Sequence, residues 1–228
     1  MDENTQNLKA SWRERQAALG STRRSVLYKN FPDFLNNSLH KRHVRFILRY
    51  LPENAAHVLD LGCGYGRIAA ELKREYPALS IQGVELCDEF AEQFRRDVGD
   101  CAVATLQDYE PTRSFDAILC VTVLMYVSPG DLDYQLGRYW QALAPGGRLI
   151  CIESRNNSLV SLRRASASNA LSPTGGELAH YFQPGELASA LARLPHSRIL
   201  RREKFGVLPL INAPALHEGF VAEKLPAG

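Results

Sequence analysis

The spacing of apolar residues along this chain changes from helical to strand-like and back several times. From Asp33 to Tyr50, in "DFLNNSLHKRHVRFILRY", Phe34, Leu35, Leu39, Val44, Ile47 and Leu48 recur at helical spacing, which predicts a helix capped by Asp33 and ended by Leu51-Pro52. The continuous apolar run "HVLDL" then predicts a buried strand, "GRIAAELKREY" a helix stopped by Pro77, "SIQGVEL" a second strand, and "DEFAEQFRRDV" a helix capped by Asp88. "CAVATL" and "FDAILCVTVL" read as a third and fourth strand, "DLDYQLGRYWQALA" as a helix ended by Pro145-Gly146-Gly147, and "GRLICIE" as a fifth strand. Continuously apolar strands separated by helices of about ten residues pair in parallel, with helices on both faces of the sheet.

After Glu153 the periodicity weakens. The Ser-, Asn- and Gly-rich stretch near 154–183 is expected to act as a lid over a site, since long aperiodic segments inside compact domains usually carry function. "PGELASALARL" predicts a helix opened by Pro184. The last two strands, near "SRILRREKFGVL" and "HEGFVAEK", are joined by a link too short for a crossover helix, which predicts an antiparallel hairpin at the sheet edge. Residues 1–52 are expected to form a helical cover and residues 53–228 the main domain.

Composition narrows the class. The 228 residues are 45% hydrophobic and 23% charged, as in a soluble globular protein whose core needs no disulfide staples. Cys63, Cys87, Cys101, Cys120 and Cys151 have no C-x-x-C spacing and are expected to be reduced, and no metal site is expected. No apolar run reaches the ~18 residues of a membrane span and none near Met1 resembles a signal peptide, so the expected location is the cytoplasm. The net charge of +2 hides an asymmetry: ten Lys or Arg lie between Lys9 and Arg49 against only Glu14 and Asp33. Trp12, Tyr28, Phe31, Phe34 and Phe46 are interleaved with them. A solvated basic face over inward-packed aromatics is the first reading, and a cover for an anionic substrate or nucleic acid the second.

The chemistry concentrates at "HVLDLGCGYGRIAAELKREYP". Gly62, Gly64 and Gly66 occupy the first strand-to-helix turn, which in open parallel sheets faces the ligand crevice. A dinucleotide fingerprint would need glycine at 67, where the chain has Arg67. Asp60 at the strand's mouth would repel a pyrophosphate but suits an ammonium or sulfonium cation. Glu85 ends the second strand, where ribose hydroxyls are held in such sheets, and Asp108 in "LQDYE" can accept from an exocyclic amine.

Taken in order, "VLDLGCGYGRIA", "GVEL", "LQDYE", "FDAILCVTVLMYV" and "LAPGGRLI" resemble the successive motifs of the class I S-adenosylmethionine-dependent methyltransferases over roughly residues 55–153. The resemblance implies a three-layer, Rossmann-like α/β fold with a seven-stranded, mostly parallel sheet and an antiparallel last strand. It implies S-adenosylmethionine as cofactor and S-adenosylhomocysteine as product. Asp60, Gly62, Cys63 and Gly64 would lie along the methionyl part, and Arg67 would either reach its carboxylate or stand exposed on the helix. Glu85 would bind the ribose, Leu86 would flank the adenine, and Gln107 and Asp108 would meet its amino edge. Cys120 and Val121 would offer carbonyls to the methionyl ammonium.

For an acceptor that must lose a proton, His180 and Tyr181 in "ELAHYFQPGEL" and Tyr126 are the candidate bases, with His40 as a weaker one. "CVTVLMY" carries no acidic metal ligands, so a metal-independent transfer to oxygen or nitrogen of a small metabolite is expected, by a monomer or homodimer. The alternatives are an RNA methyltransferase, whose binding would weaken steeply with salt, and a cofactor-binding regulatory module without chemistry.

Overall fold

The computed structural model describes residues 3–155, 179–206 and 215–226. Three helices come first: α1 (Glu3–Leu19), a short α2 (Arg23–Val26) and α3 (Asp33–Tyr50). The sheet begins with β1 (His57–Leu61), followed by α4 (Ala69–Glu75), β2 (Ser80–Glu85), α5 (Asp88–Asp97), β3 (Cys101–Val103) and β4 (Phe115–Val121). A single 3-10 turn at Leu124–Tyr126 leads into α6 (Leu132–Gln141) and β5 (Leu143–Ser154), and α7 (Glu186–Ala192), β6 (Ser197–Phe205) and β7 (His217–Lys224) complete the described fold.

The seven strands lie in the order β3-β2-β1-β4-β5-β7-β6. Pairings among β1 to β5 are parallel, while β7 runs antiparallel to both β5 and β6. The expected terminal hairpin therefore exists, with its second strand inserted between β5 and β6. Strand order reverses beside β1, between β2 and β4, so the crevice beyond their carboxyl ends is where this topology leaves room for a ligand.

Alternate residues of the buried strands feed two apolar layers. Leu59, Leu61, Ile118 and Leu149 pack with Tyr139 and Trp140 of α6 and Leu191 of α7. Val58, Leu119 and Ile150 pack on the other face with Leu39 and Ile47 of α3 and Leu72 of α4. Lys224 at the end of β7 donates to the carbonyls of Trp140, Gln141 and Leu143, supplying partners to the last turn of α6. Packing is tight where β7 meets α3: a Cβ on Gly219 would stand 2.7 Å from Phe205 and 2.9 Å from Phe46. Gly219→Ala is expected to cost about 1–3 kcal/mol of overpacking, lowering the melting temperature by roughly 3–10 °C in a calorimetric scan.

Three local expectations are corrected. Asp33 and Asp88 are the first helical residues of α3 and α5 rather than caps, and the flanking Pro32 and Cys87 make no side-chain cap bond. β3 stops at Val103, because the Ala104 amide still reaches the Glu85 carbonyl but the chain then turns, with Asp108 N donating to Thr105 Oγ1. Of the lid expected near 154–183, residues 156–178 lie outside the described residues, as do 207–214 of the β6–β7 link.

Candidate active site

The first turn is held open by β2. The amides of Gly62 and Cys63 donate to the Val84 carbonyl at 2.8 and 3.1 Å, and Gly64 N donates to Glu85 Oε2 at 2.8 Å. Gly62 sits at φ +65°, and a Cβ there would come within 2.4 Å of Val123, so both backbone conformation and close approach require glycine. Glu85 Oε1 accepts from the amides of Leu86 and Cys87, each at 2.9 Å. One carboxylate therefore ties the glycine turn to the start of α5. Burial pushes the Glu85 pKa up, and these three amide bonds oppose that rise.

Around this turn lies a cavity of about 710 Å³, within the range of small-molecule sites. Asp60, Gly62, Cys63, Gly64 and Arg67 form its floor, and Glu85, Leu86, Gln107, Asp108 and Val121 continue the wall. Asp60 is 2% exposed and lines the cavity. Desolvation raises its pKa to about 7, with Arg67 pulling it down and Glu85 pushing it up. A buried carboxyl on a cavity wall suits a cationic ligand group, whose charge offsets the cost of ionising it there.

Arg67, expected either at the cofactor or exposed, is buried and lines the cavity, with Nη1 3.3 Å from His40 Nδ1. Burial lowers its pKa to about 10. His40, behind it, reaches Glu71 at 3.5 Å and does not line the cavity. Cys120 is also outside the wall. Its side chain belongs to the apolar layer under α6 and α7, and the cavity begins one residue later at Val121 and Thr122. Gln107 and Asp108 are exposed at the cavity rim.

The candidate bases separate. His180 and Tyr126 line the cavity, whereas Tyr181 lines a smaller niche of about 30 Å³ beside it. The His180 amide donates to the Met125 carbonyl at 2.7 Å, and His180 Nε2 lies 2.5 Å from Glu186 Oε1, which fixes the ring. Within the N-terminal segment expected to cover the active site, Asn4, Thr5, Leu8 and Trp12 of α1 line the cavity. Trp12 stands edge-on to Tyr126 and Phe90 at 6.0 and 6.5 Å between centroids. Lys9 and Arg13 of the same helix pair with Asp88, so part of the basic segment is neutralised against α5.

Two further residues were missed. Thr122 adopts φ +57°, a strained state for a β-branched residue, and lines both the cavity and the niche. Glu153, 1% exposed, accepts at Oε1 from the amides of Val123 and Leu124 and so holds the loop after β4, while its Oε2 has no partner among the described residues. Burial raises its pKa to about 8. The only sequence signal for Glu153 was its place at the end of the fifth strand.

Comparison with known proteins agrees with this geometry. Residues 58–147 match the methyltransferase domain family. The chain is 30% identical over 107 residues to trans-aconitate 2-methyltransferase of Streptomyces avermitilis, covering 43% of this chain and 39% of that protein. It is 29% identical over 110 residues to demethylmenaquinone methyltransferase of Deinococcus radiodurans, covering 45% of each. The matches thus span less than half the length of either relative. The crystal structure of magnesium protoporphyrin IX methyltransferase from Synechocystis PCC 6803 with bound S-adenosylhomocysteine superimposes with a TM-score of 0.70 at 12% identity, over 97% of this chain and 100% of that one, a likeness of fold. Over residues 58–147, around the glycine turn, the chain thus matches the methyltransferase domain family, and its sheet has the fold of S-adenosylmethionine-dependent methyltransferases of known structure.

Proposed function

We propose that the chain transfers a methyl group from S-adenosylmethionine to an oxygen or nitrogen of a small-molecule acceptor, without a metal ion. The observation that carries this reading is the pair of buried carboxyls, Asp60 and Glu85, at the ends of adjacent strands on either side of the glycine turn. Bound there, the cofactor supplies an electrophilic methyl group on a sulfonium. In this reading Asp60 takes the methionyl ammonium, Glu85 the ribose hydroxyls, and Leu86 with the rim at Gln107 and Asp108 the adenine. Arg67 faces the carboxylate. Val121 and Thr122 offer backbone carbonyls in the place first assigned to Cys120. The chain's task is alignment, since in-line displacement gains most from a fixed approach of the acceptor.

α1 to α3 act as the cover, with Trp12 and Leu8 excluding water, and His180, fixed by Glu186, lines the acceptor side of the main cavity. The relatives' names point to small acceptors, and Lys9 and Arg13 are engaged by Asp88, which leaves less of the basic segment for nucleic acid. Five buried free thiols fit a reducing cytoplasm, and a monomer or homodimer suffices. Among the described residues no helix is long and apolar enough to cross a membrane.

Calorimetry with S-adenosylhomocysteine tests the reading. Because the Asp60 pKa stands at about 7 in the free protein, a bound ammonium beside it drives ionisation and releases a proton. Heats measured in buffers of different ionisation enthalpy are expected to give about half a proton released at pH 7, rising toward one at pH 5.5. Asp60→Asn abolishes the release. Binding of NAD in place of S-adenosylhomocysteine would overturn the reading.

A further inference from the structure

We propose that the small niche beside the main cavity receives a phenolic or enolic hydroxyl as the methyl acceptor, and that Tyr28 removes its proton, backed by His217 and His43. The inference rests on the methyltransferase reading and names the acceptor class that reading leaves open. The niche and the cavity share Trp12, Val26, Thr122, Met125 and Tyr126, so the niche opens beside the end of β4, where the methionyl group is assigned. Besides the shared Trp12, Thr122 and Tyr126, its polar side chains are Tyr28, Ser154, Tyr181 and His217. At about 30 Å³ it holds one hydroxyl-sized group, roughly the volume of one water. Among the described residues no Lys or Arg lines it, which disfavours a carboxylate acceptor, and the aromatic rings around it suit an aryl group.

Behind Tyr28 runs a buried chain. Tyr28 Oη and His217 Nε2 are 2.9 Å apart, and His217 Nδ1 and His43 Nε2 are again 2.9 Å apart. The fold assembles it across long sequence separations: register places His217 on β7 between Ser154 of β5 and Phe205 of β6, under the face of α3 that carries His43. The imidazole rings of His43 and His217 stack at 5.0 Å, and Tyr28 stacks on His217 at 5.6 Å. Ser154 hydrogen-bonds Tyr28. When Tyr28 Oη–H donates to His217 Nε2, His217 Nδ1–H donates to His43 Nε2, and a lone pair of Tyr28 Oη remains to accept from an incoming hydroxyl.

Atoms and charge then balance. The acceptor O–H bond breaks as its oxygen bonds the methyl carbon and the S–C electron pair returns to sulfur. The released proton goes to Tyr28 Oη, and the Tyr28 proton moves to His217 Nε2. Burial keeps both imidazoles neutral at pH 7, so His217 Nε2 has a lone pair for the Tyr28 proton, although the same burial disfavours the imidazolium. Placing a cation on them is offset because the sulfonium charge disappears in the same step, leaving the net charge of the buried region unchanged.

The test uses full-length protein saturated with S-adenosylhomocysteine and phenol as probe. In the wild type, phenol is expected to shift the imidazole nitrogen resonances of His217 and His43 saturably. Tyr28→Phe removes that response, and Ser154→Ala weakens it, with affinity for S-adenosylhomocysteine kept within about twofold as proof of an intact fold. With methyl-labelled cofactor and a metabolite extract, label is expected in phenolic or enolic compounds, and Tyr28→Phe is expected to lower its incorporation at least ~30-fold. Absence of a saturable phenol response, a response surviving in Tyr28→Phe, or label entering only carboxylic acids or amines overturns the inference while leaving the methyltransferase reading in place. Failure of the wild type to bind S-adenosylhomocysteine sinks that reading, and this inference with it.

Discussion

Glu85→Ala lowers the affinity for S-adenosylhomocysteine by at least about a hundredfold, equivalent to roughly 2.7 kcal/mol. Two losses combine. The amides of Gly64, Leu86 and Cys87 lose their acceptor, and each buried donor left without a partner costs about 1–3 kcal/mol unless the turn rearranges to find another. The ribose loses a charge-assisted partner as well. Glu85→Gln separates the two effects: its single carbonyl oxygen can serve one side of the clasp, but its amide nitrogen then confronts an N–H donor on the other. That variant is expected to lie near a tenfold loss, with faster hydrogen exchange at Gly64 or at Leu86 and Cys87, whichever side the amide abandons. Binding of Glu85→Ala within threefold of wild type would reduce Glu85 to an ordinary strand-end charge.

The readability of Glu85 from sequence has a physical basis. Its role is set by neighbours close in the chain: an apolar strand that must be buried, a turn that only glycines allow, and a helix start three residues beyond the carboxylate. The same holds for Asp60 and the order of β1 to β5, where the period of the pattern and the length of each connection leave few topologies. Long-range parts were not legible. The pair Tyr28 and His217 is separated by 189 residues, and nothing near "HEGFVAEK" indicates that its first histidine will stand under α3. α1 was expected within the N-terminal cover, but its apolar residues Leu8 and Trp12 stand too sparsely among charged ones to say which side chains face the cavity. Cys120 shows the limit of register arguments. Assigning its carbonyl to the ligand required knowing where β4 ends, and β4 runs to Val121 before Thr122 takes a left-handed turn.

Glu153 and Asp60 share a further feature: both are acids whose protonated form burial favours, one under the loop after β4 and one in the cavity floor. They place the free protein's optimum below neutral pH. As pH rises above about 4 the unfolded chain releases these protons while the native chain keeps them to about 7 or 8. Each group therefore subtracts stability through that window, and the Asp60 share is regained when a cation binds.

The buried imidazoles act in the opposite direction, and their effect on acid stability is large. His40 and His217 are held near pKa 3, and His43 well below its ordinary value, first by desolvation and then by Arg67 and the neighbouring imidazoles and cations. An unfolded chain binds these protons as pH falls through about 6.5. The native chain binds those of His40 and His217 only near 3, and that of His43 well below its ordinary value, so stability is lost as pH falls through this range, at up to about 1.4 kcal/mol per pH unit per imidazole. The raised carboxyls compensate down to about pH 4, below which the imidazoles dominate and the fold collapses. The contribution of one ring is read by difference. Between pH 6.5 and 4.5, urea melts of wild type are expected to lose about 2.3 kcal/mol more than those of His40→Gln, whose ring stands between Arg67 and Glu71. His43→Gln and His217→Gln are expected to flatten the curve by a similar amount singly but by less than twice that together, because each ring is the other's hydrogen-bond partner and removing one already changes the burial of the other. Curves of equal slope for wild type and all three variants would mean that the imidazoles take up protons in the native state, and that the Tyr28–His217–His43 chain is hydrated rather than sealed beneath α3.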